Sequence, residues 1–250
     1  MEFEIPVFDR RFSGASFECE PGSLVYVLGR NGAGKSTILR SIAGVAGAAE
    51  SSGRPVGVYL GPEPTWVFPL SVGEAVELGT YHSRRSDPEK AVVEAVRVFG
   101  LAPLLHRSMD QLSGGEIQRV ALARSFVQGP EVLLLDEVLS RLDLDYQYLV
   151  LDALRGLRQE GCICFCVTHD IALAFATSER YLIVDQGRVL DHQPVTRDRA
   201  IVLLERVYLE EYRRTKNVGV SVSDARDRAL HPLKGIIERY ALGHPTQPKS

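Results

Sequence analysis

The sequence predicts an α/β fold: a mixed sheet, a small inserted α-helical subdomain and a C-terminal helical extension. Three observations carry this. Short apolar runs bounded by turn residues alternate with helical patterns, as in a layered α/β core. A glycine-rich stretch, Gly29-Arg30-Asn31-Gly32-Ala33-Gly34-Lys35-Ser36-Thr37, joins a strand-like segment to a helix-like one. Between the second core strand and Asp136 the pattern turns mostly helical, and it does so again after Thr196.

The elements follow in order. Ser23 to Leu28 (SLVYVL) reads as a short buried strand, and Thr37 to Val45 as the start of a helix. Val56 to Leu60, Val132 to Asp136 and Cys162 to Val167 read as further buried strands. Tyr181 to Val184 and Val189 to Asp191 form a hairpin around Gln186-Gly187-Arg188. Ser71 followed by Glu74 is a capping box for a helix near Val72 to Gly79. Asp87-Pro88 supplies an N-cap and a first-turn proline for a helix ending at Gly100, with Val92, Ala95, Val96 and Phe99 facing inward. A third helix begins near Gly114 and stops at Gly129-Pro130.

These signals place a helical subdomain at about 67–112, within a domain over 1–195. Residues 196–250 form the extension. Thr196 to Lys216 is amphipathic through Ile201, Leu204, Val207 and Tyr208, and a second stretch, Ser223 to Leu242, is interrupted at His231-Pro232. The final GHPTQPKS is expected to be disordered.

With 250 residues, 45% of them hydrophobic and 24% charged, the chain has the composition of an ordinary globular protein. A net charge of −3 argues against a general nucleic-acid binder, which carries a basic field. No apolar run approaches the roughly 18 residues that span a bilayer, and MEFEIPVFDRRF lacks the basic-then-apolar order of a signal peptide. A cytoplasmic chain is expected, with any membrane role coming through a partner. Cys162, Cys164 and Cys166 share one face of a strand and are expected to be buried thiols, with Cys19 remote and no disulfide framework.

The stretch Gly29 to Thr37 fits the phosphate-binding pattern G-x-x-x-x-G-K-[ST]. Glycines let backbone N–H groups approach a nucleotide's phosphates, and the following helix aims its positive end at them. Lys35 reaches the β- and γ-phosphates, and the Ser36 hydroxyl ligates Mg²⁺. This is the loop of a P-loop NTPase core. The apolar strand Val132 to Leu135 ends in Asp136 and Glu137. Asp136 is placed to hold Mg²⁺ directly or through water, and Glu137 to polarise the water that attacks the γ-phosphate.

Leu112-Ser113-Gly114-Gly115-Glu116-Ile117-Gln118 opens a helix whose N-terminus faces an anion, while Ser113 and Glu116 also make a capping box. With this third motif the chain resembles the ATP-binding cassette (ABC) ATPases over about Ser16 to Gln193. LSGGEIQ is similar to the signature motif of that family. The resemblance implies ATP and Mg²⁺ as ligands, a second ABC subunit in a dimer of like chains, and a site completed in trans by the partner's Leu112 to Glu116 and Gln118. It implies that Asp143, in Ser140-Arg141-Leu142-Asp143, belongs to a loop crossing the dimer interface. It also implies that His169, in Val167-Thr168-His169-Asp170, contacts the γ-phosphate and holds Glu137.

Two departures stand out. Where the family carries a glutamine at the junction into the helical subdomain, this chain has Pro62, with Glu63 beside it. No tyrosine sits where the family stacks adenine; Phe8 or Phe12 is the available aromatic. Phe68 to Arg84 (FPLSVGEAVELGTYHSR) and Ser140 to Gln147 (SRLDLDYQ) resemble importers of metal chelates such as ferric siderophores, haem and cobalamin. The implied function is an ATP-hydrolysing subunit peripheral to the cytoplasmic face, held by an integral membrane permease that can work with a substrate-binding protein. The alternative is a soluble clamp or assembly factor of the same superfamily acting on nucleic acid or protein. The stretch between Lys35 and Ser113 is too short for the coiled coil that DNA-repair members insert there.

Overall fold

The computed structural model describes residues 1–5, 15–44, 57–62, 64, 69–178, 180–191 and 193–216. Glu2–Ile5 (β1) and Ala15–Glu18 (β2) pair as an antiparallel ribbon with Phe3 opposite Phe17. The two rings stack at 5.6 Å, and Phe165 meets the Phe3 ring edge-on at 5.1 Å. Aromatic burial therefore fastens this ribbon to the main sheet. The sequence reading did not foresee it, because four-residue strands on either side of an unpatterned stretch carry little periodic signal.

The main sheet contains Leu24–Leu28 (β3), Val58–Leu60 (β4), Val132–Asp136 (β5), Ile163–Val167 (β6), Arg180–Asp185 (β7) and Arg188–Val189 (β8). Its order is β4-β5-β6-β3-β7-β8. Neighbours are parallel except for the β7–β8 hairpin, so the sheet is mixed, as expected. Strict alternation sends Leu24, Tyr26 and Leu28 to one face and Val25 and Val27 to the other. Both faces are buried, which is why these strands are almost continuously apolar. The cysteines follow the same rule: Cys164 and Cys166 lie on the first face, and Ile163, Phe165 and Val167 on the second. All four cysteines are free and buried. Burial pushes the Cys166 thiol up to about 12, so it packs as a small hydrophobe.

Lys35–Ile42 (α1) covers the second face with Ile38, Leu39 and Ile42. It starts two residues before the expected Thr37, because Gly34 in the left-handed region serves as its N-cap. The opposite side carries Val72–Glu77 (α2), Pro88–Val98 (α3) and Gly114–Gln128 (α4), which pack on one another. Both capping boxes, Ser71 with Glu74 and Ser113 with Glu116, are formed, and Asp87 caps α3 ahead of Pro88. On α3, Ala91, Ala95 and the following Phe99 are fully buried, whereas Val92 and Val96 are only partly so. The inner stripe is thus one residue wider toward the N-terminus than the reading had it.

Leu144–Gln159 (α5) and Ile171–Thr177 (α6) follow β5 and β6. Arg197–Lys216 (α7) packs on β7, with Ala200, Leu203, Leu204 and Val207 buried and Ile201 and Tyr208 at the margin. Among the described residues no helix is long and apolar enough to cross a membrane. The stretch Ser223 to Leu242, the terminal GHPTQPKS, and Phe8, Phe12 and Glu63 lie outside the described residues.

Candidate active site

The phosphate loop is built at the carboxyl end of β3, an interior strand between β6 and β7. Its first glycine is required by contact with β7: Gly29 has φ +154°, and a Cβ there would sit 2.1 Å from the Val184 carbonyl oxygen. The turn between β7 and β8 braces the loop further, as Gly187 N–H donates to the Ala33 carbonyl at 2.7 Å. A Gly29→Ala change must push β7 away from the loop. It is expected to destabilise the fold by about 3 kcal/mol or more, read as a lowered thermal midpoint, with ATP affinity falling in parallel.

The N-cap of α1 makes no side-chain hydrogen bond, and the first turn holds no acid. The first-turn N–H groups, which lack a partner within the helix, therefore have no carboxylate of that turn competing for them, an arrangement that suits an anion. Lys35 Nζ lies 3.0 Å from the carbonyl oxygens of both Gly29 and Arg30, which hold the ammonium over the loop. Burial lowers the Lys35 pKa from its ordinary value, and the Glu137 and Asp136 carboxylates partly offset this. Ser36 Oγ donates to Asp136 Oδ1 at 3.0 Å. Asp136 is buried, and its second oxygen accepts a 2.7 Å bond from the Tyr59 hydroxyl. Burial pushes the Tyr59 phenol up to about 12, so it remains a donor at neutral pH.

Glu137 adopts φ +57°, a left-handed conformation that is strained for a side chain of this kind. Its N–H donates to the Val167 carbonyl at 3.1 Å, which ties the turn after β5 to the end of β6. His169 follows β6, and the next residue, Asp170, caps α6 by accepting from Leu173 N–H at 2.8 Å. The imidazole Nε2 of His169 is 2.7 Å from Glu137 Oε1. Both side chains are partly exposed, at 45% and 35%, so solvent and a ligand can reach them.

The structure thus brings together Lys35, Ser36, Asp136, Glu137 and His169, along with loop residues Gly29, Arg30, Asn31, Gly32, Ala33, Gly34 and Thr37. The signature residues stand apart. Ser113 and Gly114 are exposed, and among the described residues no hydrogen bond links Ser113, Gly114 or Gly115 to the phosphate loop. Glu116 Oε2 is occupied by Ser113 Oγ and N–H at 2.7 and 2.8 Å. Gln118, fully buried, donates to the Gly61 carbonyl at 3.4 Å, while its Oε1 has no partner among the described residues. Leu112 is half-buried, and Asp143 is exposed and caps α5 by accepting from Tyr146 N–H at 3.0 Å. The sequence reading missed Tyr59 and the Arg40 that contacts it. The available signal was the register: a strand pairing parallel with β5 puts an aromatic near the acid that ends β5.

A glycine-rich loop at a helix N-terminus and a buried lysine, facing an acid pair with a histidine behind it, suit a polyphosphate and the water that cleaves it. The chain is a P-loop ATPase. A family model described as ABC transporter matches residues 12–140. The hemin import ATP-binding protein HmuV of Streptomyces coelicolor is 36% identical over 222 residues, covering 81% of this chain and 78% of that protein. The aliphatic sulfonates import ATP-binding protein SsuB of Ralstonia nicotianae is 34% identical over 248 residues, covering 92% and 86%. The solved structure of an ATP-binding subunit of an ABC transporter matches with a TM-score of 0.66 at 21% identity, over 88% of this chain and 92% of that one, and shares the fold. The chain belongs to the ABC transporter family and is an ATP-binding ATPase subunit of that family.

Proposed function

We propose that this chain binds and hydrolyses ATP to drive import through an integral membrane permease, as one of two like subunits, and that the cargo is a metal chelate of the haem or ferric-siderophore class. The supporting observation is the contact of Glu137 with His169 beside a complete phosphate loop, since a purely nucleotide-gated scaffold has no use for an oriented base. The loop 29–37 holds the phosphates, with Lys35 neutralising their charge. Glu137 accepts the proton of the attacking water, and His169 holds the carboxylate in place. Ser36 Oγ and Asp136 Oδ1 offer two hard oxygens side by side at the start of α1, a donor set that fits Mg²⁺. When bound, that ion supplies charge neutralisation at the phosphate oxygens.

The separation of the signature helix from the phosphate loop supports a site completed by Ser113 to Gly115 of a second copy, with Asp143 at the crossing. In this reading residues 1–195 are the nucleotide-binding domain, 67–112 its helical subdomain and 196–250 the extension. The chain sits peripherally on the cytoplasmic face and makes no direct contact with nucleic acid. The cargo class rests on the 36% identity to a hemin import subunit and on the resemblance of Phe68 to Arg84 and Ser140 to Gln147.

The test is purification of the tagged chain from detergent-solubilised native membranes, followed by reconstitution of what comes with it. A membrane permease and ATP-dependent uptake of haem or a ferric chelate are expected. Recovery of soluble partners alone overturns the importer reading. Uptake of a sulfonate instead keeps that reading and replaces the cargo.

A further inference from the structure

Asp136 is held from two directions. Ser36 Oγ donates to Oδ1 at 3.0 Å, and the Tyr59 hydroxyl donates to Oδ2 at 2.7 Å. The direction of the second bond follows from the third partner. Arg40 Nε lies 3.2 Å from the same phenol oxygen and has only a proton to give, so the phenol's own proton goes to the carboxylate. The Arg40 guanidinium also lies 5.8 Å from the Tyr59 ring centroid, which limits the ring's freedom. The parallel register of β4 with β5 pairs Tyr59 with Leu134, so the ring rises beside the strand that ends in Asp136.

The segment after Tyr59 is shaped around it. A Cβ at Gly61 would stand at ordinary contact, 3.5 Å, from the Tyr59 hydroxyl oxygen but only 3.3 Å from its Cε1, so the ring would have to give by a few tenths of an ångström. On the other side the Gly61 carbonyl accepts from Gln118 on α4, the helix that carries the signature residues. The next residue is Pro62, which has neither a side-chain ligand nor an N–H.

We propose that Tyr59 is a positioning residue for Asp136: it fixes the plane of the carboxylate on the Mg²⁺ side of ATP and ties it to the Gly61-Pro62 segment, where the chain has no glutamine. This rests on the assignment of Ser36 and Asp136 to Mg²⁺. A carboxylate with one oxygen free can rotate away from the hydroxyl that shares its ligand. Bonds from neighbouring side chains to a metal-binding carboxylate set its orientation, and their loss typically weakens metal affinity or activity about tenfold or more. Arg40 orients the phenol, and Gly61 leaves room for it.

The test compares full-length wild type, Tyr59→Phe, Gly61→Ala and Asp136→Asn by equilibrium binding of a fluorescent ATP analogue. Each is measured in EDTA and across a Mg²⁺ titration, with the thermal midpoint as a control for folding. Tyr59→Phe is expected to keep the EDTA affinity within about twofold and to raise the Mg²⁺ concentration at half-maximal binding by about tenfold. Gly61→Ala is expected to move the Mg²⁺ midpoint in the same direction by a smaller factor. Equal weakening with and without Mg²⁺ means that Tyr59 is a structural support of β4, and overturns the proposal. An unchanged Mg²⁺ midpoint in Tyr59→Phe overturns it too, provided that Asp136→Asn moves the midpoint. If Asp136→Asn leaves the midpoint where it was, the Mg²⁺ assignment itself fails and the proposal fails with it.

Discussion

Glu137→Gln is expected to reduce steady-state ATP turnover by about 10²-fold or more while ATP still binds. The amide keeps the shape and one acceptor oxygen but cannot take the proton of an attacking water. The surroundings make this a clean substitution. The strained φ of +57° at Glu137 belongs to the turn after β5 and survives the change, because its N–H bond to the Val167 carbonyl at the end of β6 is a backbone contact. The 2.7 Å partner His169 can donate to an amide oxygen as it does to a carboxylate. Phosphate release should therefore collapse while equilibrium ATP binding, measured in parallel, stays within a few-fold of wild type. Near-normal turnover would remove Glu137 from the chemistry. Lys35→Ala is expected to show the opposite signature, a loss of binding itself, because it takes away the cation held over the loop by the Gly29 and Arg30 carbonyls.

The second large effect is expected in trans. Gly115 lies in the first turn of α4, where N–H groups are unpaired by geometry, and Gly114 beside it has open space over its Cα. In the proposed two-copy site, an aspartate at 115 would place a carboxylate where the second copy brings its γ-phosphate, and like charges repel strongly in a closing interface. Gly115→Asp alone should hold ATP normally yet hydrolyse it at a small fraction of the wild-type rate. Mixing it with Lys35→Ala chains should recover activity that neither shows alone, because a mixed dimer contains one site free of both changes. Full hydrolysis by the Gly115→Asp chain, or no recovery on mixing, would mean that each chain works by itself.

Local chemistry made most of the fold legible. The capping boxes at Ser71 and Ser113 and the Asp87-Pro88 start each act within four residues, and all three appear as read. Continuous apolar runs marked β3, β5 and β6 because both faces of the sheet are buried, leaving no polar alternation to confuse them. The β1–β2 ribbon was not legible. It is held by Phe3 and Phe17 against Phe165, a contact between residues far apart in sequence. The site shows the same division. Lys35 and Ser36 announce themselves through spacing in one loop, and Asp136 and Glu137 through their place at a strand's end. Tyr59 does not, because its partner Asp136 is reached only through the pairing of β4 with β5. Arg40 was hidden for the same reason.

The most direct test of a nucleotide sandwiched between two copies is the mass of the Glu137→Gln chain in sedimentation velocity, with and without Mg²⁺ and ATP. Without nucleotide it should sediment as a single chain of 27.6 kDa. With saturating ATP it should shift to twice that mass, and Gly115→Asp added to the same chain should abolish the shift. A single-chain mass in the presence of bound ATP would contradict the account.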